Sequence, residues 1–352
     1  MRVLIIKVSS LGDIIHTLPA VTDAHLAHKN IIFDWVVEEN FLEVPTWHPA
    51  VDKVIPVAIR RWRRNLVKAY FNHEFRAFKQ TLQGIHYDLV IDAQGLIKSG
   101  LISRLSRGLT IGLNNRTIRE PLATLFYNKV YSVPRTEHAV DRIRQLFSRA
   151  LNYDYDTRVV DYGIDINRIA GEHPANEKKQ VVFLHGTTWR TKHWPEHYWR
   201  HLAHIATESG YQVLLPWGNS EERRRAEFIG KDNGLVTILD KQTLSGLAQK
   251  INASCGVIAV DTGLGHLAAA LAKPTLSLYG PTNPGLSGTY GAKQLHLNSD
   301  FSCAPCVMKV CGYSGAGVND DFKGQTFPVI PPCFSSHKPE NVWQRFENLL
   351  QE

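Results

Sequence analysis

The sequence predicts an α/β protein of two domains, each with a parallel sheet covered by helices. Short β-rich runs alternate with helical patterns, and this alternation stops at a polar stretch and then starts again. The 352 residues also exceed the length that one hydrophobic core usually serves. We therefore expect one domain at residues 1–160, a second at residues 161–337 and a separate terminal helix at residues 338–352.

The first half of the chain alternates strands and helices in a regular order. Strands are predicted at residues 2–8, 31–38, 51–57, 87–92 and 110–113. Helices are predicted at residues 14–28, 74–83, 98–106 and 138–151. This order is typical of a parallel sheet whose crossovers are helical.

The second half repeats the alternation after an irregular linker at residues 152–179. Strands are predicted at residues 180–185, 212–216, 235–239, 256–260 and 275–279, with helices at residues 195–209, 221–231, 244–253 and 265–272. Residues 280–339 are rich in Gly, Pro, Ser and Cys and show little periodicity, and a last amphipathic helix is predicted at residues 339–350. Two such sheets predict a cleft bounded by the carboxyl ends of their strands.

Charge is distributed unevenly between the two halves. Residues 1–160 contain 22 of the 40 Lys and Arg and 15 of the 33 Asp and Glu, which leaves 18 of each sign for the second half. The net charge of +7 therefore comes from the first half. Its densest part is Arg-Arg-Trp-Arg-Arg at residues 60–64, followed by Lys68. A solvated basic face and a site for a phosphate or carboxylate partner explain this run equally well.

No apolar run reaches the roughly 18 residues of a membrane helix. The apolar residues 3–8 are interrupted by Lys7 and lack a small-residue cleavage site, so we expect a strand rather than a signal peptide and a cytoplasmic location. In that compartment the five cysteines are expected as thiols, with Cys255 in the interior. The other four share one segment, where a structural zinc is possible and a reduced cluster is favoured, because paired C-x2-C knuckles are missing. These four are Cys303, Cys306, Cys311 and Cys333.

A carboxylate follows the first predicted strand, in Ser9-Ser10-Leu11-Gly12-Asp13. Gly12 tolerates a sharp turn from strand to helix, and Asp13 is then expected at the N-cap of the helix. The carboxyl end of a strand is also where open α/β sheets bind ligands. Asp13 is therefore either an ordinary cap or an active-site carboxylate.

The strongest local pattern is Asp261-Thr262-Gly263-Leu264-Gly265-His266, which ends a strand and begins a helix. Free N–H groups at a helix start, with glycines that let a ligand approach, suit a diphosphate. A nicotinamide-dependent oxidoreductase is disfavoured, because no Asp or Glu follows between Thr262 and Ser299 to hold a ribose. A tight turn with a capping aspartate is the structural alternative, and it does not explain His266.

Two further strand ends in the second half carry polar side chains. The threonines of His185-Gly186-Thr187-Thr188 and the ammonium of Lys192 are predicted at the same rim as Asp261, where they would stabilise an anionic leaving group. Glu222 follows the next strand and is a candidate for sugar hydroxyls. A Glu in a first helical turn is also common because of the helix dipole alone.

Taken in order, these segments resemble the bacterial lipopolysaccharide heptosyltransferases, family 9 of the glycosyltransferases. That resemblance implies a GT-B fold, in which two Rossmann-like doubly wound domains face each other across a cleft. It covers roughly residues 1–297, and the Arg-Arg-Trp-Arg block favours the branch that adds the first heptose. The segments that carry it are residues 8–20, 34–39, 54–63, 92–99, 119–123, 192–196 and 260–266.

The resemblance implies inverting transfer of L-glycero-D-manno-heptose from ADP-heptose to the Kdo sugar of lipid A, with no metal cofactor. Heptosyltransferase II or III, acting on a heptose-bearing inner core, is the alternative. Asp13 matches the catalytic base of the family, and Lys192 assists departure of the leaving group. The donor positions are Thr187, Thr188, Lys192, Glu222, Asp261, Thr262, Gly263 and His266, and the acceptor positions are Ser10, Arg60, Arg61 and Arg63.

Because the acceptor is a lipid, the resemblance also implies a transient contact with the inner face of the inner membrane and no nucleic-acid partner. A basic module that binds nucleic acid or membrane without catalysis would leave the Asp261 to His266 pattern unexplained. Two features depart from the family. Gln242 stands where an apolar residue is expected against adenine, and the segment from Cys303 to Cys333 is foreign to the shorter chains of this branch.

Overall fold

The computed structural model describes residues 1–63, 73–171, 179–322 and 324–352. Contacts divide the chain into two compact units, Met1–Ile169 and Ala170–Glu352. Each unit contains its own six-stranded parallel sheet. Arg64 and Lys68 of the basic run and residues 172–178 of the predicted linker lie outside the described residues.

The sheet of the first unit has the strand order β3-β2-β1-β4-β5-β6. Because the chain returns to the centre of the sheet after β3, a switch point lies between β1 and β4, which is where doubly wound sheets bind ligands. The five predicted strands are confirmed, and β6 is an additional edge strand. The strands are β1 (Arg2–Ile6), β2 (Ile32–Glu38), β3 (Val51–Val57), β4 (His86–Asp92), β5 (Arg107–Leu113) and β6 (Lys129–Tyr131).

In the first unit one predicted helix is divided in two, and the short helices Glu43–Thr46 and Ile59–Trp62 were not predicted. The helix predicted at residues 14–28 is two helices that meet at His16 and Thr17, and Pro19 lies in the first turn of the second, where a missing N–H costs little. The helices are α1 (Leu11–Ile15), α2 (Leu18–Ala27), α3 (Glu43–Thr46), α4 (Ile59–Trp62), α5 (His73–Gln83), α6 (Ile97–Leu105) and α7 (Ala139–Leu151). Short 3-10 turns lie at Glu39–Phe41, Pro121–Phe126 and Ile166–Arg168.

The sheet of the second unit has the order β12-β11-β10-β7-β8-β9, which is the arrangement of the first sheet read from the other edge. Its strands are β7 (Gln180–Leu184), β8 (Gln212–Leu215), β9 (Val236–Ile238), β10 (Gly256–Val260), β11 (Thr275–Tyr279) and β12 (Gln294–Asn298). A hairpin follows, with β13 (Asn319–Phe322) and β14 (Gln325–Pro328). These two strands and β12 lie within residues 280–339, where the sequence shows little periodicity, and they were not predicted.

The helices of the second unit cover both faces of this sheet and include the C-terminal one. They are α8 (Glu196–Glu208), α9 (Ser220–Gly230), α10 (Leu244–Ala253), α11 (Gly263–Ala270), α12 (Pro284–Ser287) and α13 (Pro339–Gln351), with 3-10 turns at Arg190–Lys192 and Pro332–Phe334. The predicted terminal helix packs within the second unit. Its Val342, Trp343 and Phe346 lie in the same buried cluster as Phe183 of β7 and Trp199 of α8.

The first unit has a core of its own on the central strands. Leu4 and Ile6 of β1 pack with Val36 of β2, Ile55 of β3 and Val90 of β4. Strands buried on both faces are expected in a parallel sheet with helices on each side. Among the helices of the described ranges, none is both long enough and apolar enough to cross a membrane.

Candidate functional site

Asp13 lies inside the first turn of α1, and Ser10 is the N-cap residue. The expectation that Asp13 is the N-cap was therefore wrong. Oδ2 of Asp13 accepts hydrogen bonds from the backbone N–H and the hydroxyl of Ser10, both at 2.8 Å. These contacts are a capping box, in which the third helical residue binds back to the cap. They leave Oδ1 as the oxygen that faces other groups.

The ammonium group of Lys7 lies 3.8 Å from Oδ1 of Asp13. The side chain of Lys7 is only 6% exposed, and its Nζ donates to the carbonyl of Ala93 at 2.8 Å. Burial lowers the pKa of Lys7 more than the charges of Asp13 and Asp92 raise it. Burial raises the pKa of Asp13, but Lys7, the bonds from Ser10 and the charge of Arg119 outweigh it, so the pKa lies below its usual value. Asp13 is therefore ionised at neutral pH.

The turn after β4 supports the loop that carries Asp13. Oε1 of Gln94 accepts from the N–H groups of Val8 and Ser9 at 3.0 and 3.1 Å. Asp92 is buried, accepts from the N–H of Gln94 at 2.9 Å and accepts from the hydroxyl of Tyr127 at 2.6 Å. This support was not predicted from the sequence. A signal was present, because Asp92 ends a strand and Asp13 was found by its position after one.

Arg61 of the basic run is paired with two carboxylates of the protein. Its guanidinium lies 3.1 Å from Glu39 and 2.8 Å from Glu74. Glu74 also accepts from Nε1 of Trp62 at 3.3 Å. The anion predicted to lie beside Arg61 is therefore supplied by the chain itself, which makes Arg61 a weak candidate for holding a substrate.

Arg60 and Arg63 are exposed and differ from Arg61 in their surroundings. The guanidinium of Arg60 lies over the ring of Phe41, 5.4 Å from its centroid. Burial and the nearby charges of Arg60 and Arg63 lower the pKa of Lys98, against the opposite effect of Glu38 and Glu120. The charges of Arg60 and Arg63 thus act on Lys98, and we call these three residues the basic cluster.

In the second unit, Lys192 forms an ion pair with Asp261. Nζ of Lys192 lies 2.6 Å from Oδ2 of Asp261, and both side chains are largely buried. The same oxygen accepts from the hydroxyl of Thr282 at 2.6 Å, and the backbone carbonyl of Asp261 accepts from the hydroxyl of Thr187 at 3.0 Å. The alternative that Asp261 caps α11 was wrong, because the N-cap is Thr262. Thr282 was missed.

The start of α11 lies directly after this ion pair. Thr262 is the N-cap and Gly263 is the first helical residue, so the N–H groups of Gly263 and Leu264 precede the first carbonyl that the helix can offer them. The N–H of Gly265 donates to the carbonyl of Thr262 at 3.1 Å. His266 is buried within the helix, whereas Thr188, on the loop after β7, is exposed. Nζ of Lys192 also lies 4.5 Å from the ring centroid of Trp189. A cation beside a helix N-terminus suits the binding of a diphosphate.

Glu222 approaches the same loop from α9. Its Oε2 accepts from the N–H of Gly218 at 2.7 Å. A Cβ at Gly186 would lie 2.8 Å from this carboxylate, so the glycine is what allows the close approach. As predicted, polar side chains follow the carboxyl ends of two neighbouring strands of this sheet. Thr187, Thr188 and Lys192 follow β7, and Glu222 follows β8. Gln242 lies in the loop before α10 and donates to the carbonyl of Asp240 at 3.0 Å.

The four clustered cysteines line one small pocket, together with Thr191 and Pro281. All are free thiols; Cys333 is buried and the other three are exposed. Burial, together with the other three cysteines, raises the pKa of Cys333 to about 12. Within the described part of the chain, no group of three or more His, Cys, Asp or Glu side chains is arranged to hold a metal ion. The structure thus gives no support to a structural zinc, which the sequence left possible but less favoured than a reduced cluster. Cys255 is exposed, so its predicted interior position was wrong.

Comparison with known proteins identifies the family. Residues 75–316 match the model of glycosyltransferase family 9 (heptosyltransferase). Lipopolysaccharide heptosyltransferase 1 of Pseudomonas aeruginosa is 51% identical, over 99% of this chain and 98% of that protein. The structure of E. coli heptosyltransferase WaaC with ADP is 47% identical, with a TM-score of 0.80 over 84% of this chain and 92% of that one.

A second E. coli WaaC structure, with ADP-2-deoxy-2-fluoro heptose, is 45% identical, with a TM-score of 0.79 over 85% of this chain and 93% of that one. The predicted fold class is thus confirmed, with two parallel six-stranded sheets in an α/β chain that matches GT-B heptosyltransferases. The resemblance inferred from the sequence motifs is confirmed as well. This chain is a glycosyltransferase that belongs to family 9, the heptosyltransferases of lipopolysaccharide synthesis.

Proposed function

We propose that the chain transfers heptose from ADP-heptose to the Kdo sugar of lipid A and so adds the first heptose of the inner core. The observation that carries this proposal is the ion pair of Lys192 and Asp261 at the start of α11. Similar proteins have been solved with ADP and with an ADP-heptose analogue, and the P. aeruginosa relative is a heptosyltransferase 1. The reaction takes place at the cytoplasmic face of the inner membrane, where the lipid acceptor is reached by transient contact.

On the donor side, we assign the diphosphate to Lys192, Thr188 and the first turn of α11. Oδ2 of Asp261 holds the ammonium of Lys192 in place, while the ammonium is left free to share its charge with a phosphate. The hydroxyl of Thr187 already donates to the carbonyl of Asp261, so Thr187 holds this loop. Glu222 is assigned to hydroxyl groups of the heptose, since a carboxylate accepts from them.

Thr262, Gly263 and His266 complete the donor site in this proposal. Thr262 and Gly263 supply the turn whose backbone N–H groups point toward an anion. His266 follows within the same first turn of α11 and is buried. All three residues lie on one short segment. Their assignment to the donor site therefore depends on whether the start of α11 binds the diphosphate.

On the acceptor side, Oδ1 of Asp13 accepts the proton of the Kdo hydroxyl as this hydroxyl attacks the anomeric carbon of the heptose. The new C–O bond forms, the bond from the anomeric carbon to the diphosphate breaks, and its electron pair leaves with ADP. One displacement inverts the anomeric configuration and uses no metal ion. The bonds from Ser10 to Oδ2 fix the carboxylate during this step.

Release of ADP tests the proposal directly. We expect ADP to form when the protein is mixed with ADP-heptose and Kdo-lipid A, and not when either substrate is left out. ADP release with a heptose-bearing core, and none with Kdo-lipid A, would instead show heptosyltransferase II or III activity.

Lys7 is expected to set the pH dependence of the reaction. Lys7→Met removes the cation 3.8 Å from Asp13, so the pKa of Asp13 rises and the acidic limb of the kcat profile moves to higher pH. The other charges facing this pair, those of Asp92, Arg119 and Arg142, are unchanged. An acidic limb that stays in place in Lys7→Met, as it should in the control Lys53→Met, would contradict this role.

The basic cluster is expected to bind the acidic acceptor through Arg63 and Arg60 rather than Arg61. Arg63→Ala should raise the acceptor KM about tenfold, because hydrogen bonds to a charged group contribute most among such bonds, and should leave the donor KM unchanged. Arg61→Ala should change the acceptor KM less than about threefold, since Glu39 and Glu74 neutralise this arginine. Initial rates at varied acceptor concentration check both variants. The reverse order of effects would show that Arg61 leaves its carboxylates for the acceptor.

A further inference from the structure

Two neighbouring elements of the first unit expose apolar side chains to solvent. On α6, Ile97 and Leu101 are 37% and 49% exposed, and they share a face because they are four residues apart. On the 3-10 helix Pro121–Phe126, Leu122 and Leu125 are 62% and 78% exposed, and side chains three residues apart align in such a helix. We call these four side chains the apolar face.

The two elements that carry the apolar face pack directly against each other. A Cβ at Gly100 of α6 would lie 2.7 Å from the ring of Phe126, so the glycine allows the 3-10 helix to approach closely. The N–H of Ile97 also donates to Oε2 of Glu120, at 2.7 Å. The four exposed side chains therefore belong to one continuous surface and are not scattered single residues, which would need no explanation.

Cations lie around the apolar face. Arg104 is exposed on α6, three residues after Leu101 and on the same side of the helix. Arg119 is exposed just before the 3-10 helix, and Lys98 follows Ile97 in the first turn of α6. Apolar side chains surrounded by Lys and Arg are typical of surfaces that lie on anionic membranes, where leucines enter the headgroup region and cations bind the lipid phosphates.

The apolar face is joined to the loop that carries Asp13. The carbonyl of Gly95 accepts from the N–H of Glu120 at 3.2 Å, which ties the 3-10 helix to the turn after β4. The next residue back, Gln94, holds the N–H groups of Val8 and Ser9. A lipid docked on the apolar face would therefore present its sugars at the same end of the sheet as the proposed base.

We propose that the apolar face docks the first unit on an anionic lipid bilayer, with Leu122 and Leu125 entering the headgroup region. The choice of a bilayer over a protein partner rests on the cations around the leucines. The inference rests on the proposed function only in that the acceptor is a lipid. The docking itself requires neither donor nor acceptor, so it is tested without turnover.

Co-sedimentation of the full chain with vesicles is the direct test. The wild-type protein should bind phosphatidylcholine vesicles that contain phosphatidylglycerol and bind pure phosphatidylcholine much less. The double variant Leu122→Ser, Leu125→Ser should lose about tenfold or more in affinity for the anionic vesicles. The control is Leu26→Ser, since Leu26 is 75% exposed on α2 of the same unit and lies outside the apolar face. Equal melting temperatures and equal far-ultraviolet circular dichroism in all three proteins show that the variants are folded.

Two results would overturn this proposal. One is unchanged vesicle binding by the double variant. If that variant changes the self-association of the protein while vesicle binding stays the same, the apolar face is a contact between copies of the chain, and the proposal fails in that case too. The other is an equal loss of transfer to membrane-embedded and to deacylated acceptor, which would place the leucines in the catalytic machinery. We expect loss only with the embedded acceptor. If the wild-type protein binds vesicles through this face but transfers no heptose, the proposed function fails and the docking surface stands.

Discussion

Asp13→Asn is expected to lower kcat by about 10²–10⁴-fold, the usual contribution of a general base. The amide has the shape of the carboxylate and its oxygen still accepts from Ser10, so the capping box at the start of α1 is retained. It cannot accept the proton of the attacking hydroxyl, because the amide nitrogen only donates. Steady-state rates under saturating donor and acceptor measure the loss, and ADP affinity should stay within about twofold of the wild-type value.

The matched control for this prediction is Asp154→Asn. Asp154 is an exposed aspartate of the same unit, and its substitution should leave kcat unchanged. An Asp13→Asn variant that keeps most of the wild-type kcat would reduce Asp13 to a residue that only caps α1. A variant with lower kcat and a much lower melting temperature would attribute the loss to folding.

Lys192→Ala is expected to have the second largest effect, with kcat reduced about 10²–10³-fold, as for the loss of one group that stabilises developing charge. The bond that breaks leaves a new negative charge on the diphosphate, and Lys192 is the ammonium that Asp261 holds at the start of α11. Thr282 donates to the same oxygen of Asp261. ADP binding should also weaken, because the charge is present in the bound product. We expect the fluorescence of Trp189 to change when ADP binds, since this ring adjoins Lys192, and this change is a convenient readout.

Lys309→Ala is the control for Lys192→Ala. Nζ of Lys309 lies 5.5 Å from the centroid of the same Trp189 ring, but Lys309 is exposed and is not paired with Asp261 in the structure. Its loss should change kcat and ADP affinity by less than about threefold. Equal effects of the two substitutions would show that general positive charge near Trp189 matters, and not the ion pair at the helix start.

The fold could be predicted to a large extent because its main strands are buried on both faces and read as apolar runs, such as Val257 to Val260 of β10. Two of the four edge strands in these sheets, β6 and β12, were not predicted by this criterion. β6 is three residues long, and β12 alternates polar and apolar residues on the outer edge of its sheet. The break between α1 and α2 was missed because Pro19 was not recognised as the start of a new helix.

The candidate site could be predicted only in part, because motifs report which residues follow a strand but not what each side chain contacts. Asp13 and Asp261 were found by their positions at strand ends. Asp13 was expected at the N-cap, which is Ser10, and the alternative that Asp261 caps α11 was wrong because Thr262 does so. Thr282 joins Asp261 from 21 residues along the chain, and Arg61 is neutralised by Glu39 and Glu74 from 22 and 13 residues away. Contacts at such separations depend on the tertiary fold.

The mass of the product is the measurement that tests the central claim most directly. Purified protein is incubated with ADP-heptose and, in parallel, with Kdo-lipid A and with a core that already carries one heptose. We predict that Kdo-lipid A alone gains the mass of one heptose, and that Asp13→Asn abolishes this gain within the time in which the wild-type reaction is complete. A gain on the heptose-bearing core alone, or on neither acceptor, would contradict the account.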